Sequence, residues 1–271
     1  MLATKTLAIL GTGMMGGALA RGLVRAGAMP PSGMTLYDVH RARAERLAED
    51  LGPGARVAAS PQAAVGGADI VLPSVKPLIV PAVLSEIAPV LSKNQLIISI
   101  AAGIRIATME ALLGEGIPVI RTMPNTPCLV GVGATALSSG AYALESHLEL
   151  ARTLFASVGV TVVVEERLLD AVTGLSGSGP AYVYLMIEAL SDGGVKAGLT
   201  RETARLLAAQ TVLGAAQMVL SSDEHPAQLK DNVTTPGGTT IAALAVLERA
   251  GFRTALMDAI EAAARRSQEL S

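Results

Sequence analysis

The segment 232–240 has the residue types best suited to binding a small anion. It reads Asn-Val-Thr-Thr-Pro-Gly-Gly-Thr-Thr and precedes a helical pattern that starts at Ile241. Proline fixes its own φ and the two glycines permit positive φ, so the amides that open the helix can converge on one point. A helix N-terminus offers unpaired donors and a partial positive charge. The segment therefore predicts a site for an anionic group surrounded by hydroxyls.

A second glycine-rich turn lies near the amino terminus and has the spacing of a dinucleotide-binding turn. It follows the apolar run 7–10 and opens a helical pattern over 14–26, which is the context that this fingerprint requires. Gly11 permits a tight turn, Gly13 lets a pyrophosphate approach the backbone, and Gly16 lets helix and strand pack. The residues predicted to bind NADPH or NADH here are Gly11, Thr12, Gly13, Met14, Met15 and Gly16.

Asp38 ends the second predicted strand, where an acidic residue commonly accepts a hydrogen bond from the ribose 2′-hydroxyl of NAD. His40, Arg41 and Arg43 follow at once and would suit a 2′-phosphate. The sequence therefore predicts Asp38 as a cofactor residue and leaves open whether the cofactor is NADH or NADPH. A solvated helix cap is the structural alternative for Asp38.

Three further loops follow predicted strands and are expected to complete the cofactor site, because ligands of doubly wound sheets bind at the carboxyl ends of strands. Lys76 is a candidate for the cofactor ribose or the substrate, with a surface lysine as the alternative. Asn125 is expected either to bind the nicotinamide amide or to shape its own turn. The predicted cofactor residues of these loops are Ser74, Val75, Lys76, Pro77, Ala101, Ala102, Gly103 and Asn125.

The elements that must position these residues change in kind near residue 166. Before it, strands alternate with helices, which predicts a parallel sheet covered on both faces. The predicted strands are 7–10, 34–37, 56–58, 70–72, 95–100, 119–121, 134–138 and 160–164. After it, long helical stretches cover 179–197, 200–220 and 239–269, with a break near Gly251. We predict an α/β chain: a Rossmann-type, doubly wound NAD(P)-binding domain over 1–166 and an all-α domain over 167–271.

Composition excludes several other classes of protein. Apolar residues make up 51% of the 271 residues, aromatic residues only 2%, and the net charge is −2, so neither charge nor stacking favours nucleic acid. No apolar run is long enough to predict a membrane span, and the amino terminus is interpreted as a strand and turn rather than a signal peptide. One cysteine and three scattered histidines predict no metal site. A reducing cytoplasm is the expected location.

Several motifs, in the order in which they occur, resemble one family. They are Gly11-x-Gly13-x-x-Gly16, Val75-Lys76-Pro77, Met123 to Pro127, Ser176 to Tyr182 and Asp231 to Thr240. Together they closely resemble pyrroline-5-carboxylate reductase over nearly the whole chain. The resemblance implies reduction of 1-pyrroline-5-carboxylate to L-proline with NADPH or NADH. It also implies a Rossmann domain followed by a helical domain that forms a homodimer, with dimers assembled into larger rings.

The resemblance also implies roles for individual residues. The substrate carboxylate is expected to bind amides and hydroxyls of Thr235, Gly237, Gly238, Thr239 and Thr240, and the Thr240 hydroxyl to contact the ring nitrogen as the catalytic residue. Residues 176–180 are predicted to form a flexible, polar turn before the long helix, in which Ser178 lines the substrate pocket; a purely structural bend is the alternative. Pro73 and Asp38-Val39-His40 depart from the family pattern, and the second departure leaves the cofactor preference open.

Two other functions fit the same motifs less well. Related hydroxyacid or imine reductases usually carry a lysine inside the first long helix of the second domain, whereas 181–195 contains none. A non-catalytic NAD(P)-sensing protein would not need the threonines beside Gly237 and Gly238. Reducing a cyclic imine, by contrast, needs no covalent nucleophile, and the sequence presents none.

Overall fold

The computed structural model describes residues 2–270, which form eight strands and twelve α-helices. The strands are β1 (Leu7–Leu10), β2 (Met34–Tyr37), β3 (Arg56–Val57), β4 (Ile70–Pro73), β5 (Leu96–Ser99), β6 (Val119–Met123), β7 (Gly133–Ser139) and β8 (Gly159–Val163). The helices of the first part are α1 (Met14–Arg25), α2 (Arg41–Leu51), α3 (Pro61–Val65), α4 (Val80–Ile87), α5 (Ile106–Leu113), α6 (Glu145–Ala156) and α7 (Leu169–Val172). Those that follow are α8 (Gly179–Lys196), α9 (Arg201–Ser221), α10 (Pro226–Asn232), α11 (Thr239–Arg249) and α12 (Phe252–Glu269).

All eight predicted strands are present and form one sheet in the order β3-β2-β1-β4-β5-β6-β7-β8. The first six strands are parallel and have the Rossmann order, with the switch point between β1 and β4. The prediction of a parallel sheet is wrong at one pair, because β7 runs antiparallel to β6. Only a short 3₁₀ segment, Thr126–Val130, links these two strands, whereas a parallel pair needs a longer crossover.

The sheet is buried on both faces. Along β1, Leu7 and Ile9 belong to one apolar cluster, while Ala8 and Leu10 belong to another on the opposite face. This alternation is the period of two that a strand imposes on its side chains. Continuous apolar runs such as 7–10 and 70–72 are therefore explained by two-sided burial, as the sequence predicted for this fold class.

Backbone contacts divide the described residues into two compact units. The first comprises the residues up to Ser178 together with those from Ala262 onward, and the second comprises Gly179–Glu261. The second unit is wholly helical and buries few side chains; in α8 and α9 only Ser191, Ala204 and Ala208 are buried. Leu185 and Leu206 are both 67% exposed, so apolar surface remains uncovered in the isolated chain.

The segment before α8 is helical, and its prediction as a flexible turn at 176–180 is wrong. Residues 173–177 form a π-helical turn in which the Ser178 amide donates to the Thr173 carbonyl at 2.8 Å. The hydroxyls of Thr173 and Ser176 donate to the carbonyls of Leu169 and Val172. These bonds satisfy the backbone locally, so the glycines do not interrupt the helical path.

Candidate active site

The predicted cofactor residues of the first unit meet at one edge of the sheet. The loops that contain Gly11, Asp38, Ser74, Ala101 and Asn125 follow β1, β2, β4, β5 and β6, which are parallel neighbours. Their carboxyl ends therefore lie along a single edge, where ligands of open α/β sheets bind. Lys76 is exposed in its loop and Pro77 begins a short 3₁₀ turn.

The glycine turn has the shape that a dinucleotide requires. Gly11 has a φ of +100°, and a Cβ there would lie 2.5 Å from the Ser74 carbonyl oxygen. A Cβ on Gly16 would collide with the Gly11 carbonyl oxygen and lie 2.8 Å from Oγ of Ser74. At Gly13, which opens α1, the same construction meets nothing within 4 Å, and no side chain caps the helix. The turn is therefore tightly packed at Gly11 and Gly16 but has open space at Gly13, where a pyrophosphate can approach the start of α1.

Asp38 is bonded to the glycine turn rather than free in solvent. Its Oδ2 accepts from the Thr12 amide at 2.9 Å and from the Thr12 hydroxyl at 3.1 Å, while Oδ1 accepts from the His40 amide at 2.9 Å. Burial raises the pKa of this carboxyl, but the hydrogen bonds from His40 and Thr12 and the charge of Arg43 outweigh burial, and the pKa falls below its ordinary value. Asp38 is therefore an anion at neutral pH.

Asn125 connects three segments through its side-chain amide. Its Oδ1 accepts from the Ala134 amide at 2.9 Å, and its Nδ2 donates to the Ser176 carbonyl at 3.1 Å. The residue is 9% exposed, so these bonds form largely away from water. Of the two roles predicted for Asn125, this geometry directly supports the one in which it shapes the surrounding turns. The same bond to Ser176 fixes the π-helical turn that leads to Ser178.

The threonine segment belongs to the second unit and opens helix α11. Gly237 has a φ of +67°, and the Gly238 amide donates to the Thr235 carbonyl at 3.1 Å, which closes a tight turn. Gly238 is the N-cap residue of α11, and no side chain caps the amides that follow it. Thr239 and Thr240 occupy the first two positions of this helix. Their amides therefore point out of the helix end, as the anion-site prediction requires.

The hydroxyls of this segment differ in their partners. Thr234 donates to the Lys230 carbonyl at 2.7 Å and so completes the end of α10. A Cβ built on Gly238 would collide with Oγ1 of Thr235, so only a glycine leaves room for this hydroxyl. Thr239 is exposed and Thr240 is half-buried. Thr235, Thr239 and Thr240 thus remain as the hydroxyls that surround the start of α11.

One charged pair beside the sheet edge was not foreseen from the sequence. Arg121 lies in the buried strand β6 and pairs with Glu166, whose Oε1 lies 2.9 Å from the Arg121 Nη1. The same Oε1 accepts from the Ile106 amide at 2.7 Å and so caps α5, directly after the Ala101–Gly103 loop. An arginine in an apolar strand was the available signal, because a buried charge requires a partner.

The described part of the chain gives little support for a cysteine nucleophile, a metal site or a membrane span. Burial raises the pKa of the Cys128 thiol, which makes it a poor nucleophile. Within residues 2–270 no three His, Cys, Asp or Glu side chains form a group that could hold a metal ion. None of the helices in the same range combines the length and hydropathy that a bilayer crossing requires.

Comparison with known proteins adds independent evidence. Residues 166–270 match the family model for pyrroline-5-carboxylate reductase dimerisation, and residues 6–103 match the model described as NADP oxidoreductase coenzyme F420-dependent. Pyrroline-5-carboxylate reductase of Glycine max is 48% identical over 266 residues, which cover 98% of this chain and 96% of that protein.

Solved structures give the same result. A pyrroline-5-carboxylate reductase from Coxiella burnetii has a TM-score of 0.93 at 35% identity, covering 99% of both chains. A pyrroline carboxylate reductase from Plasmodium falciparum, solved with NADP bound, has a TM-score of 0.89 at 35% identity and covers 100% of this chain and 99% of that one. The predicted α/β class, with a Rossmann-type sheet followed by a helical dimerisation region, is confirmed. On this evidence the chain belongs to the pyrroline-5-carboxylate reductase family.

Proposed function

We propose that this chain reduces 1-pyrroline-5-carboxylate to L-proline with NADPH or NADH, the last step of proline biosynthesis. The observation that carries the proposal is the pairing, in one chain of this family, of the open glycine turn at Gly13 with the uncapped threonine segment at the start of α11. The first suits a dinucleotide and the second a small carboxylate. A reduced nicotinamide, when bound, supplies the hydride that reduces the imine carbon.

In the proposed cofactor site, backbone groups of Gly11–Gly16 hold the pyrophosphate at the start of α1, and Asp38 binds the adenine ribose. The loops of Ser74–Pro77 and Ala101–Gly103 enclose the rest of the dinucleotide. Asn125 positions the turn beside them. Support comes from their common position at the sheet edge and from the fit of the glycine turn to a pyrophosphate.

In the proposed substrate site, the amides of Gly238 and Thr239 bind the carboxylate, helped by Thr235, Gly237 and the Thr239 hydroxyl. Ser178 is proposed as a further substrate-binding residue. Hydrogen bonds to a charged group are worth about 1.5–3 kcal/mol each, so two or three orient the substrate without an arginine. The Thr240 hydroxyl contacts the ring nitrogen. Because a threonine hydroxyl is a poor acid, the proton arrives with the substrate or from water.

Steady-state turnover tests this function. The oxidation of NADH and NADPH is followed by absorbance with 1-pyrroline-5-carboxylate as substrate. In a separate assay, the reduction of NAD+ and NADP+ is followed with a 2-hydroxy acid as substrate. We expect turnover only with the cyclic imine, and formation of L-proline in an amount equal to the cofactor consumed. Turnover of the hydroxy acid alone would favour a related dehydrogenase. Cofactor binding without any turnover would favour a sensing protein.

The domain and assembly predictions are also proposals. We place the functional division at 166/167, with the helical part forming a homodimer and dimers assembling into a ring. The uncovered apolar residues of α8 and α9 support association of the helical part. Light scattering during gel filtration should give a mass above that of a dimer and equal to a multiple of it. A monomer at micromolar concentration would contradict the homodimer.

The proposed location is the cytoplasm, where the reducing environment suits an enzyme that uses a reduced dinucleotide and has a free thiol at Cys128. Cell fractionation with an antibody to the chain tests this placement. Recovery outside the cytoplasmic fraction would contradict it.

A further inference from the structure

The feature that goes beyond the proposed reaction is the fixed position of the Asp38 carboxylate. The register of β1 and β2 places Leu10 beside Tyr37, so Asp38 lies next to the glycine turn. The Gly11 amide donates to the Tyr37 carbonyl at 2.7 Å, and both donors of Thr12 bind Oδ2 of Asp38. The carboxylate is therefore attached to the same turn that opens α1.

This attachment leaves Asp38 little freedom to move away from a ligand. Three donors hold its two oxygens, and the residue is half-buried. A surface aspartate could rotate into solvent when an anion approaches, whereas Asp38 would lose bonds to Thr12 and His40. A carboxylate has about four lone-pair sites. The two Thr12 donors occupy those of Oδ2 and His40 occupies one on Oδ1, so Oδ1 can still accept from a hydroxyl.

The nearby positive groups do not offset this carboxylate fully. Nε of Arg41 is paired with Oε1 of Glu45 at 2.8 Å, so its charge is partly neutralised on the surface of α2. Arg43 is exposed, and its positive charge already acts on Asp38. A 2′-phosphate, with a charge of about −1.5 to −2, would thus meet a fixed anion beside two arginines, one paired with Glu45 and the other already interacting with Asp38.

We infer that Asp38 makes this chain prefer NADH, by accepting a hydrogen bond from the ribose 2′-hydroxyl and repelling the 2′-phosphate of NADPH. The inference depends on the proposed cofactor class but not on the proposed substrate. Coulomb repulsion between a fixed carboxylate and a phosphate a few ångströms away, partly shielded from water, disfavours NADPH by at least about tenfold.

Binding measured without substrate tests this inference separately from the reaction. NADH and NADPH are titrated into the full-length protein and their Kd values are measured by nucleotide fluorescence. We expect the Kd for NADPH to exceed that for NADH by at least about tenfold. Asp38→Asn should reduce this ratio by at least about fivefold, mainly through tighter NADPH binding. Glu49→Gln is the matched control, because it removes one exposed negative charge from the far end of α2, and its ratio should stay within about twofold of wild type.

Clear results would overturn the inference. Wild-type binding of NADPH as tight as that of NADH contradicts it without any variant. An unchanged ratio in Asp38→Asn, with an unchanged melting temperature, removes Asp38 as its cause. Asp38→Ser, which introduces a neutral hydroxyl near Thr12, replaces the asparagine variant if that one does not fold. NADH preference without imine reduction would contradict the proposed function and leave this inference intact.

Discussion

Nδ2 of Asn125 donates a hydrogen bond of 3.1 Å to the carbonyl oxygen of Ser176, and this bond joins the end of β6 to the π-helical turn. Oδ1 of the same amide accepts from Ala134 in β7. One buried side chain therefore holds together a strand end, the neighbouring strand and the segment that leads to Ser178. Asn125 is best described as a positioning residue.

Asn125→Ala is expected to destabilise the protein by about 1–3 kcal/mol, because it leaves the Ala134 amide and the Ser176 carbonyl without their partner. Chemical denaturation at fixed protein concentration measures the change. Gln62→Ala is the matched control, since Gln62 bonds Glu86 on the surface and its loss should cost less than about 0.5 kcal/mol. Equal stability of the two variants would contradict this role of Asn125.

The strands were predictable because each buried strand corresponds to a short, continuous run of apolar residues in the sequence. Runs such as 7–10 are apolar throughout and are flanked by polar or glycine residues, so strand positions followed directly. The short helices α3, α4 and α5 were not predicted, because five to eight residues hold too few turns for a clear period and α3 and α4 contain proline near their starts. The antiparallel direction of β7 was missed because a strand pattern has no direction.

The sequence was sufficient to identify candidate site residues, but not the residues to which they form hydrogen bonds. Gly11, Gly13 and Gly16 follow from spacing alone. The bond from Thr12 to Asp38 spans 26 positions, and the bond from Asn125 to Ser176 spans 51, so both depend on how the chain folds. The sequence suggested a ligand contact for Thr12, and either a ligand contact or a turn-shaping role for Asn125. The structure shows that both residues hold loops in place.

Gly16→Ala is expected to lower the stability of the protein, whereas Gly13→Ala is expected to weaken binding of the cofactor. A Cβ at position 16 would collide with backbone, and overpacking of this kind costs about 1–3 kcal/mol or more. The melting temperature should fall by at least about 2 °C. Gly13 has open space and a negative φ, so Gly13→Ala should fold normally while its new methyl group obstructs the pyrophosphate.

Thermal melting and NADH titration of both variants separate the two effects. We expect Gly13→Ala to weaken NADH binding by at least about tenfold, because the methyl group keeps the pyrophosphate from the helix amides. Normal binding by Gly13→Ala would show that the dinucleotide does not approach this turn. A Gly16→Ala protein as stable as wild type would contradict the close packing described here.

Asp69 is expected to contribute to stability in a defined pH window. Its carboxylate binds Lys5 at 2.8 Å, the Thr6 amide at 2.8 Å and the Thr6 hydroxyl at 2.9 Å. Burial raises the pKa of Asp69, but these partners outweigh burial and lower it below the ordinary value of 3.8. A depressed pKa means that the stabilisation is full above the unfolded-state pKa and is lost as pH falls through the folded-state pKa.

Denaturation of wild type and Asp69→Asn between pH 7 and pH 2 checks this sign. The variant should be less stable at pH 7, and the difference should shrink only below about pH 4. Asp50→Asn is the matched control, because Asp50 pairs with Arg21 on the exposed surface. A stability difference between wild type and Asp69→Asn that stayed constant down to pH 2 would contradict the assignment.

Thr240→Ala is expected to lower kcat by about 10- to 100-fold, which corresponds to the loss of one hydrogen bond of about 1.5–3 kcal/mol to a charged nitrogen. The Kd for NADH, measured without substrate, should change less than about twofold, because the proposed contact of Thr240 is with the imine. Thr234→Ala is the matched control: it removes a hydroxyl from the same segment, but one that bonds the Lys230 carbonyl. If both variants lost the same kcat, the effect would come from the loop as a whole, whereas unchanged turnover in Thr240→Ala would remove Thr240 from the mechanism.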